Sequence, residues 1–344
     1  MRKDIRTVTV GVDGSRAGLD AADWAAREAE RRRLTLRLLH AGGESTASVP
    51  VPGSGLGPPP VPGAAPGSVP RPRARGARTR PALEQPAVPA RELQRGILDR
   101  AAVRLSYAHP TLQIAARRTD TPALPALLEA ATESETVVLG SRGFSGFTGF
   151  LVGSVALAVT ADAACPVVLV RAGELPPDER VPEERVPDER VPDDAGGDTT
   201  SPARTPYLPV VLGLDLEEPA DELIGYAFDA AGVRAAPLHV VHAWTLPPLR
   251  EGAGGAGEPG DTAAQQDARE RFLAAALGPW RHKFPQTEVS EEVVYGHAGH
   301  HLLKASTRAG LLVVGRSVAG TGLGRAAHSL VHHSTCPVAV VPHD

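Results

Sequence analysis

Cysteine, lysine, methionine and aromatic residues are all scarce in this chain of 344 residues. The two cysteines, Cys165 and Cys336, are too few for a disulfide framework. Each precedes a proline and an apolar run, which suits a small buried residue at the start of a strand. Lysine occurs only as Lys3, Lys283 and Lys304, and none stands in a Walker A pattern, so ordinary P-loop chemistry is not expected. Aromatic residues make up 4% of the chain. Trp24 and Trp244 read as packing residues rather than platforms for stacked bases. No excess of charge exists either. The formal net charge of -4 gives no overall attraction to nucleic acid or to an acidic membrane. Long apolar runs are missing, which argues against a membrane span, and the first residues carry no apolar signal core. The expected compartment is the cytoplasm.

What the chain has in quantity is glycine, 36 residues, and proline, 33. They crowd into three stretches. Residues 43–89 are rich in Pro, Gly, Ala and Ser and read as an unstructured insertion. Its arginines between Arg71 and Arg80 are a weak signal for nucleic acid. Residues 172–206 hold a tandem five-residue repeat, Pro177–Val181, Pro182–Val186 and Pro187–Val191. Frequent proline and charge there predict an extended, semi-stiff linker. Residues 250–264 form a shorter Gly-rich loop.

Between these stretches the chain reads as two similar halves. In the first, strands are expected at Thr7–Val12, Leu34–Ala41, Leu112–Arg118, Thr136–Gly140 and Pro166–Arg171, with helices between them. In the second, strands are expected at Val210–Leu214, Leu238–Ala243, Val289–Val294, Leu311–Gly315 and Pro337–Val341. The strands are short and apolar throughout, as strands buried on both faces are. The fold class is α/β: two tandem open-sheet domains, each a five-stranded parallel sheet in the order 3-2-1-4-5 with helices on both faces. Details recur in order. Leu39-His40-Ala41 matches Val241-His242-Ala243, and Cys165-Pro166-Val167 matches Cys336-Pro337-Val338. This is the mark of an internal duplication. The domains are placed at residues 1–171 and 207–344.

The segment with most chemical content runs from Gly140 to Ser154. It begins at a strand end and finishes at a helix start, the place where open parallel sheets bind ligands. Glycines there permit positive φ and close approach, and the free N–H groups of the helix suit a phosphate. Spacing alone also fits a flexible connection. The pattern Gly140-x2-Gly143-x9-Gly153-Ser154 resembles the nucleotide loop of ATP-binding universal stress proteins. Val10–Ser15, Leu38–Ala41 and Cys165–Val170 resemble that family's first, second and fifth strands.

The resemblance implies ATP, with Mg²⁺, in the first domain only. Asp13 would lie near the ribose or a phosphate-bound metal; its other reading is a helix cap. Gly11, Ala41 and Leu139 would frame the base. Gly140, Gly143, Gly153, Ser154 and Val155 would cradle phosphates, and Arg142 either contacts phosphate or faces solvent. The family usually has a Gly before the proline that opens the third helix. This chain has Asp120-Thr121-Pro122, so Asp120 or Thr121 is expected to cap that helix.

In the second half, counting from Gly315 puts Val318 and His328 where glycines would stand. Weak or absent nucleotide binding follows. His328 and His332 share a helix face, but no acidic or Cys partner completes a metal set. The implied function is a nucleotide-dependent binding module in stress response or signalling. The alternatives are slow ATP hydrolysis or nucleotidyl transfer, or a nucleotide-independent scaffold. The fifth strands of the two halves are expected to pair within the chain, and a homodimer is compatible with the pattern.

Overall fold

The computed structural model describes residues 6–42, 90–143, 150–173, 179–181, 206–245, 259–320 and 322–344. The insertion 43–89, most of the 172–206 segment and the loop tip 144–149 lie outside them. Side chains are not described for residues 90–95, 142–143, 150–151 and 259–262.

The first half runs β1 (Thr7–Gly11), α1 (Arg16–Arg32), β2 (Thr35–Ala41), α2 (Ala90–Ala108), β3 (Ile114–Thr119), α3 (Ala123–Thr132), β4 (Thr136–Gly143), β5 (Phe150–Leu151), α4 (Ser154–Asp162) and β6 (Val167–Arg171). The second runs β7 (Val210–Gly213), α5 (Asp221–Arg234), β8 (Leu238–Trp244), α6 (Pro259–Lys283), β9 (Val289–Tyr295), α7 (Ala298–Ser306), β10 (Leu311–Ser317), α8 (Arg325–His333) and β11 (Val338–His343).

The strand order is β3-β2-β1-β4-β6 in the first half and β9-β8-β7-β10-β11 in the second, so each half has the expected parallel arrangement. The two join in one sheet. β6 and β11 pair antiparallel, with Val168 opposite Ala339. Only β5 is off this path; it pairs antiparallel with the end of β4.

Every buried strand feeds two cores because successive side chains point to opposite faces. Val8, Val10, Val138, Val168 and Val170 meet α1 and α2 on one face. Val137, Leu139, Val167 and Leu169 meet α3 and α4 on the other. The second half repeats this, with Val210 and Leu212 on the first face and Leu312 and Val314 on the second. That is why β6 and β7 are apolar runs, whereas the edge strands β3 and β9 carry charged residues and are largely exposed, so the expectation of strands apolar throughout fails there. Among the described residues no helix is long and apolar enough to cross a membrane.

The sequence of α1 explains its position. The Ser15 hydroxyl accepts from Gly18 N at 3.1 Å and caps the helix. Ala17, Ala21, Ala22, Ala25, Ala26 and Ala29 give a buried face that lets the helix lie close to the sheet. Arg33 ends it at φ 56°, and Ala235 ends α5 in the same way at φ 50°. Two non-glycine residues in this unusual conformation at matching places are a structural trace of the duplication.

The halves are also tied by buried charge. Glu28 of α1 accepts from Arg234 Nη2 of α5 at 2.6 Å and from Arg32 Nε at 2.6 Å. Burial alone would raise the Glu28 pKa, but the Arg234, Arg32 and Arg31 guanidiniums outweigh it and draw it down to about 2. Glu179, from the first five-residue repeat, is 2% exposed. It accepts from Arg27 Nη2 at 2.7 Å and also from Arg31. Within the segment read as a linker, Glu179 is held against α1 by its two arginines, and a bond from Leu208 N to Glu179 O at 2.9 Å fixes the backbone there. Neither cysteine forms a disulfide. Burial pushes the Cys165 thiol up to about 12, as befits a packing residue.

Candidate functional site

The carboxyl ends of β1, β2 and β4 and the amino end of α4 surround one cavity of about 400 Å³. This is a usual size for a small-molecule site. It is lined by Gly11, Asp13, Ala41, Leu139, Gly140, Gly153, Ser154 and Val155, which brings together eight of the ten residues named from the sequence. Arg142 and Gly143 end β4 opposite Leu151 and Phe150. Their side chains lie outside the described residues, as does the loop tip that follows.

Val12, Ser15, Ala17, Gly18, His40, Ala123, Leu127 and Ala156 also line the cavity and escaped the sequence reading as ligand contacts. The motif signal for most of them was present, since they are neighbours of named residues. Leu127 and Ala123 come from α3, which carries no local motif.

Each feature of the site has a local cause. Gly14 stands at φ 83°, so the turn after Asp13 needs glycine there. Asp13 Oδ1 accepts from Ser15 N at 2.9 Å and from Ser15 Oγ at 2.5 Å. Asp13 thus organises the cap of α1, and both of these bonds fall on one carboxylate oxygen. His40 is 7% exposed, and its Nδ1 lies 2.6 Å from Val12 O. Since a carbonyl only accepts, Nδ1 carries a proton, and this bond ties β2 to the Asp13 turn. Nε2 is buried with no partner among the described residues. His242 Nδ1 repeats the bond with Leu214 O at 3.0 Å, so the tie belongs to the fold in both halves.

The glycines divide by role. The expectation of positive φ fails at Gly140 and at Gly153, whose φ is -62°. A Cβ on Gly140 would lie 2.3 Å from Ala17 O, so this glycine admits the backbone of α1. A Cβ on Gly11 would meet Leu139 at 2.8 Å. At Gly153 a Cβ would meet nothing within 4 Å. Neither conformation nor packing demands glycine there, and the space it leaves is the cavity itself. Gly153 is the N-cap of α4, and no side chain caps that helix. Its first N–H groups therefore face the cavity without an intrahelical acceptor. The capping expectation for α3 is corrected. Its N-cap is Pro122, with no side-chain bond; Thr121 Oγ1 instead accepts from Thr119 Oγ1 at 2.9 Å, and Asp120 Oδ1 accepts from Arg118 Nη2 at 2.9 Å.

The second half differs in a way that spacing counted from Gly315 misplaces. Leu157 N bonds Gly153 O at 2.9 Å, and His328 N bonds Gly324 O at 2.9 Å. Gly324, not His328, is the counterpart of Gly153, and it caps α8. His328 lies inside the helix. The connection from Gly315 to Gly324 is four residues shorter than that from Gly140 to Gly153, and Arg325 replaces Ser154. The ring of His343 lies against Gly315, so that an added Cβ would meet Nε2 at 2.5 Å. The cavity beside Asp215, about 530 Å³, is lined by His242, Trp244 and, from α6, Arg269 and Phe272, and does not reach Gly324. Arg269 stacks over the Trp244 ring at 4.1 Å. Among the described residues no group of three His, Cys, Asp or Glu side chains is placed to hold a metal.

The chain is similar to known proteins over nearly its whole length. A universal stress protein of Mycobacterium tuberculosis is 28% identical over 352 aligned residues, which cover 98% of this chain and 96% of its own. The crystal structure of a universal stress protein from Archaeoglobus fulgidus superposes with a TM-score of 0.60 at 15% identity, covering 100% of both chains, and so shares the fold. A second protein from that organism, solved in complex with dAMP, covers 39% of this chain and 98% of its own at 21% identity, with a TM-score of 0.29. The model of the universal stress protein family matches residues 4–55, 68–171 and 206–342, and on that match this chain belongs to the universal stress protein family.

Proposed function

We propose that the first half binds an adenine nucleotide, ATP with Mg²⁺, and that the chain acts in the cytoplasm as a nucleotide-dependent module in stress response or signalling. The observation that carries this reading is the single cavity running from Asp13, past Ala41, to the uncapped start of α4. It offers an apolar end and an anion-binding end. Gly11, Ala41 and Leu139 would flank the base. Gly153, Ser154 and Val155 would meet phosphate, joined by Gly140, Arg142 and Gly143 from the strand end. The residues present fit such a ligand, because Gly153 leaves open space that a side chain would fill. Asp13, the acidic residue lining the cavity, would be the protein's share of the metal, the phosphates supplying further oxygens.

The one hydroxyl set beside a carboxylate in this cavity among the described residues, Ser15 Oγ at 2.5 Å from Asp13 Oδ1, is engaged as the cap of α1 through Gly18 N. Binding is therefore favoured over turnover, and slow hydrolysis is the enzyme alternative. Residues 1–171 and 207–344 are taken as the two domains. The second is a brace without nucleotide. With β6 and β11 already paired inside one chain, a homodimer would have to use β3, β9 or a helix layer.

Thermal melting with Mg·ATP, AMP and GTP tests the reading. Ligand at about 100 times its Kd stabilises by about 2.7 kcal/mol, so ATP should raise Tm by several degrees. GTP should do less, and Asp13→Ala should reduce the Mg²⁺ dependence. A folded protein whose Tm ignores every adenine nucleotide leaves the scaffold reading in its place. Chromatography of the nucleotide after incubation separates binding from hydrolysis.

A further inference from the structure

Helix α4 is short and poorly provided at its far end. It spans nine residues, has no basic residue in its last turn, and finishes on Asp162, an acid at the negative end of the helix dipole. A cation comes to this end from the other half of the molecule. Arg316 of β10 is 7% exposed, and its Nη2 donates to Ala163 O, the carbonyl of the C-cap residue, at 2.5 Å. Burial lowers the Arg316 pKa, and the Asp162 carboxylate opposes that shift. The matching residue of the first half is Ser141, whose hydroxyl donates to Val170 O at 3.2 Å inside its own half. The arrangement is therefore not a by-product of the duplication. α8 also lies against β5, the strand just before the cap of α4. The second half thus bonds the C-cap residue of the helix and lies against the strand that leads into its first turn.

We propose that Arg316 is a positioning residue for the phosphate end of the first-half cavity, holding α4 from its C-terminal end so that its N-terminal N–H groups stay aimed at the ligand. The inference rests on the nucleotide reading given above. It gives the second half a role in that site without a ligand of its own. Arg316 touches no ligand; it acts through the helix.

The test titrates Mg·ATP and, separately, adenosine into full-length wild type, Arg316→Met and Arg316→Lys, with hydrogen exchange of α4 followed in each. Arg316→Met should weaken ATP by about tenfold, the scale of a partly buried charge at a helix end. Adenosine affinity should stay unchanged, because only the phosphate end is loosened. Arg316→Lys should recover part of the loss, and amides 157–163 should exchange faster in Arg316→Met while those of β1 and β2 do not. Wild-type ATP affinity in Arg316→Met overturns the inference. So does a parallel loss of adenosine, which would mark general destabilisation. A wild type that binds neither ligand overturns the nucleotide reading and this inference with it, an outcome distinct from the other two.

Discussion

The two halves share strand order, the His-to-carbonyl tie and the glycine cap of the last helix, yet among the described residues the first-half cavity joins the Asp turn to that cap while the cavity beside Asp215 does not reach it. The difference lies in what surrounds the shared parts. In the first half a longer connection folds back as β5, and Ala172 follows β6. In the second the connection is four residues shorter and His343 brings a ring against Gly315. Around the glycines that recur, Gly315 and Gly324, the second half thus has a shorter loop and an added ring.

The largest expected effect concerns what the halves share. Glu28→Ala removes the carboxylate that three arginines surround and leaves Arg234 buried without it. Loss of one partner from a buried pair costs about 3–5 kcal/mol, to be read from denaturant melts. The pH dependence has a defined sign. The Glu28 pKa is drawn down from 4.5 to about 2. Its contribution, about 3 kcal/mol, is complete above the unfolded value and is lost as pH falls through the folded one. Stability should fall between about pH 5 and 2, and the fall should be shallower in Glu28→Gln.

Next come the caps. Gly153→Val should weaken Mg·ATP by about a hundredfold, since a branched side chain enters the open space in which the proposed phosphate would sit. Gly324→Val should change nucleotide binding by nothing measurable. Circular dichroism confirms folding in both.

A smaller contrast separates packing glycines. Gly140→Ala sets a Cβ against the backbone of α1, which has little room to yield, and should cost about 1–3 kcal/mol. Gly315→Ala presses on the His343 ring and a Leu223 methyl group and should cost less, while Gly153→Ala should stay within about 0.5 kcal/mol. Equal costs at Gly140 and Gly153 would erase the distinction between a packing glycine and a ligand glycine.

Most of the sheet was legible in the sequence because its central strands are largely apolar runs set between helices. The duplication was legible because Leu39-His40-Ala41 and Cys165-Pro166 recur. Asp13, Ala41 and Gly153, which line the first-half cavity, stand in or near these anchors. Three things were not legible. Counting forward from Gly315 hid the short loop; counting back from the cysteine finds Gly153 and Gly324 at equal distances. The role of Gly140 depends on Ala17, which is remote in sequence. Glu179 and Arg316 gain their meaning from partners in other elements, which no local pattern announces.

The central claim is that one half of the duplicated chain takes a nucleotide and the other does not. Isothermal titration of Mg·ATP into the full-length protein measures this as stoichiometry. One nucleotide per chain, lost in Gly153→Val and kept in Gly324→Val, is the predicted result. Two nucleotides per chain, or loss in Gly324→Val with Gly153→Val intact, would contradict it.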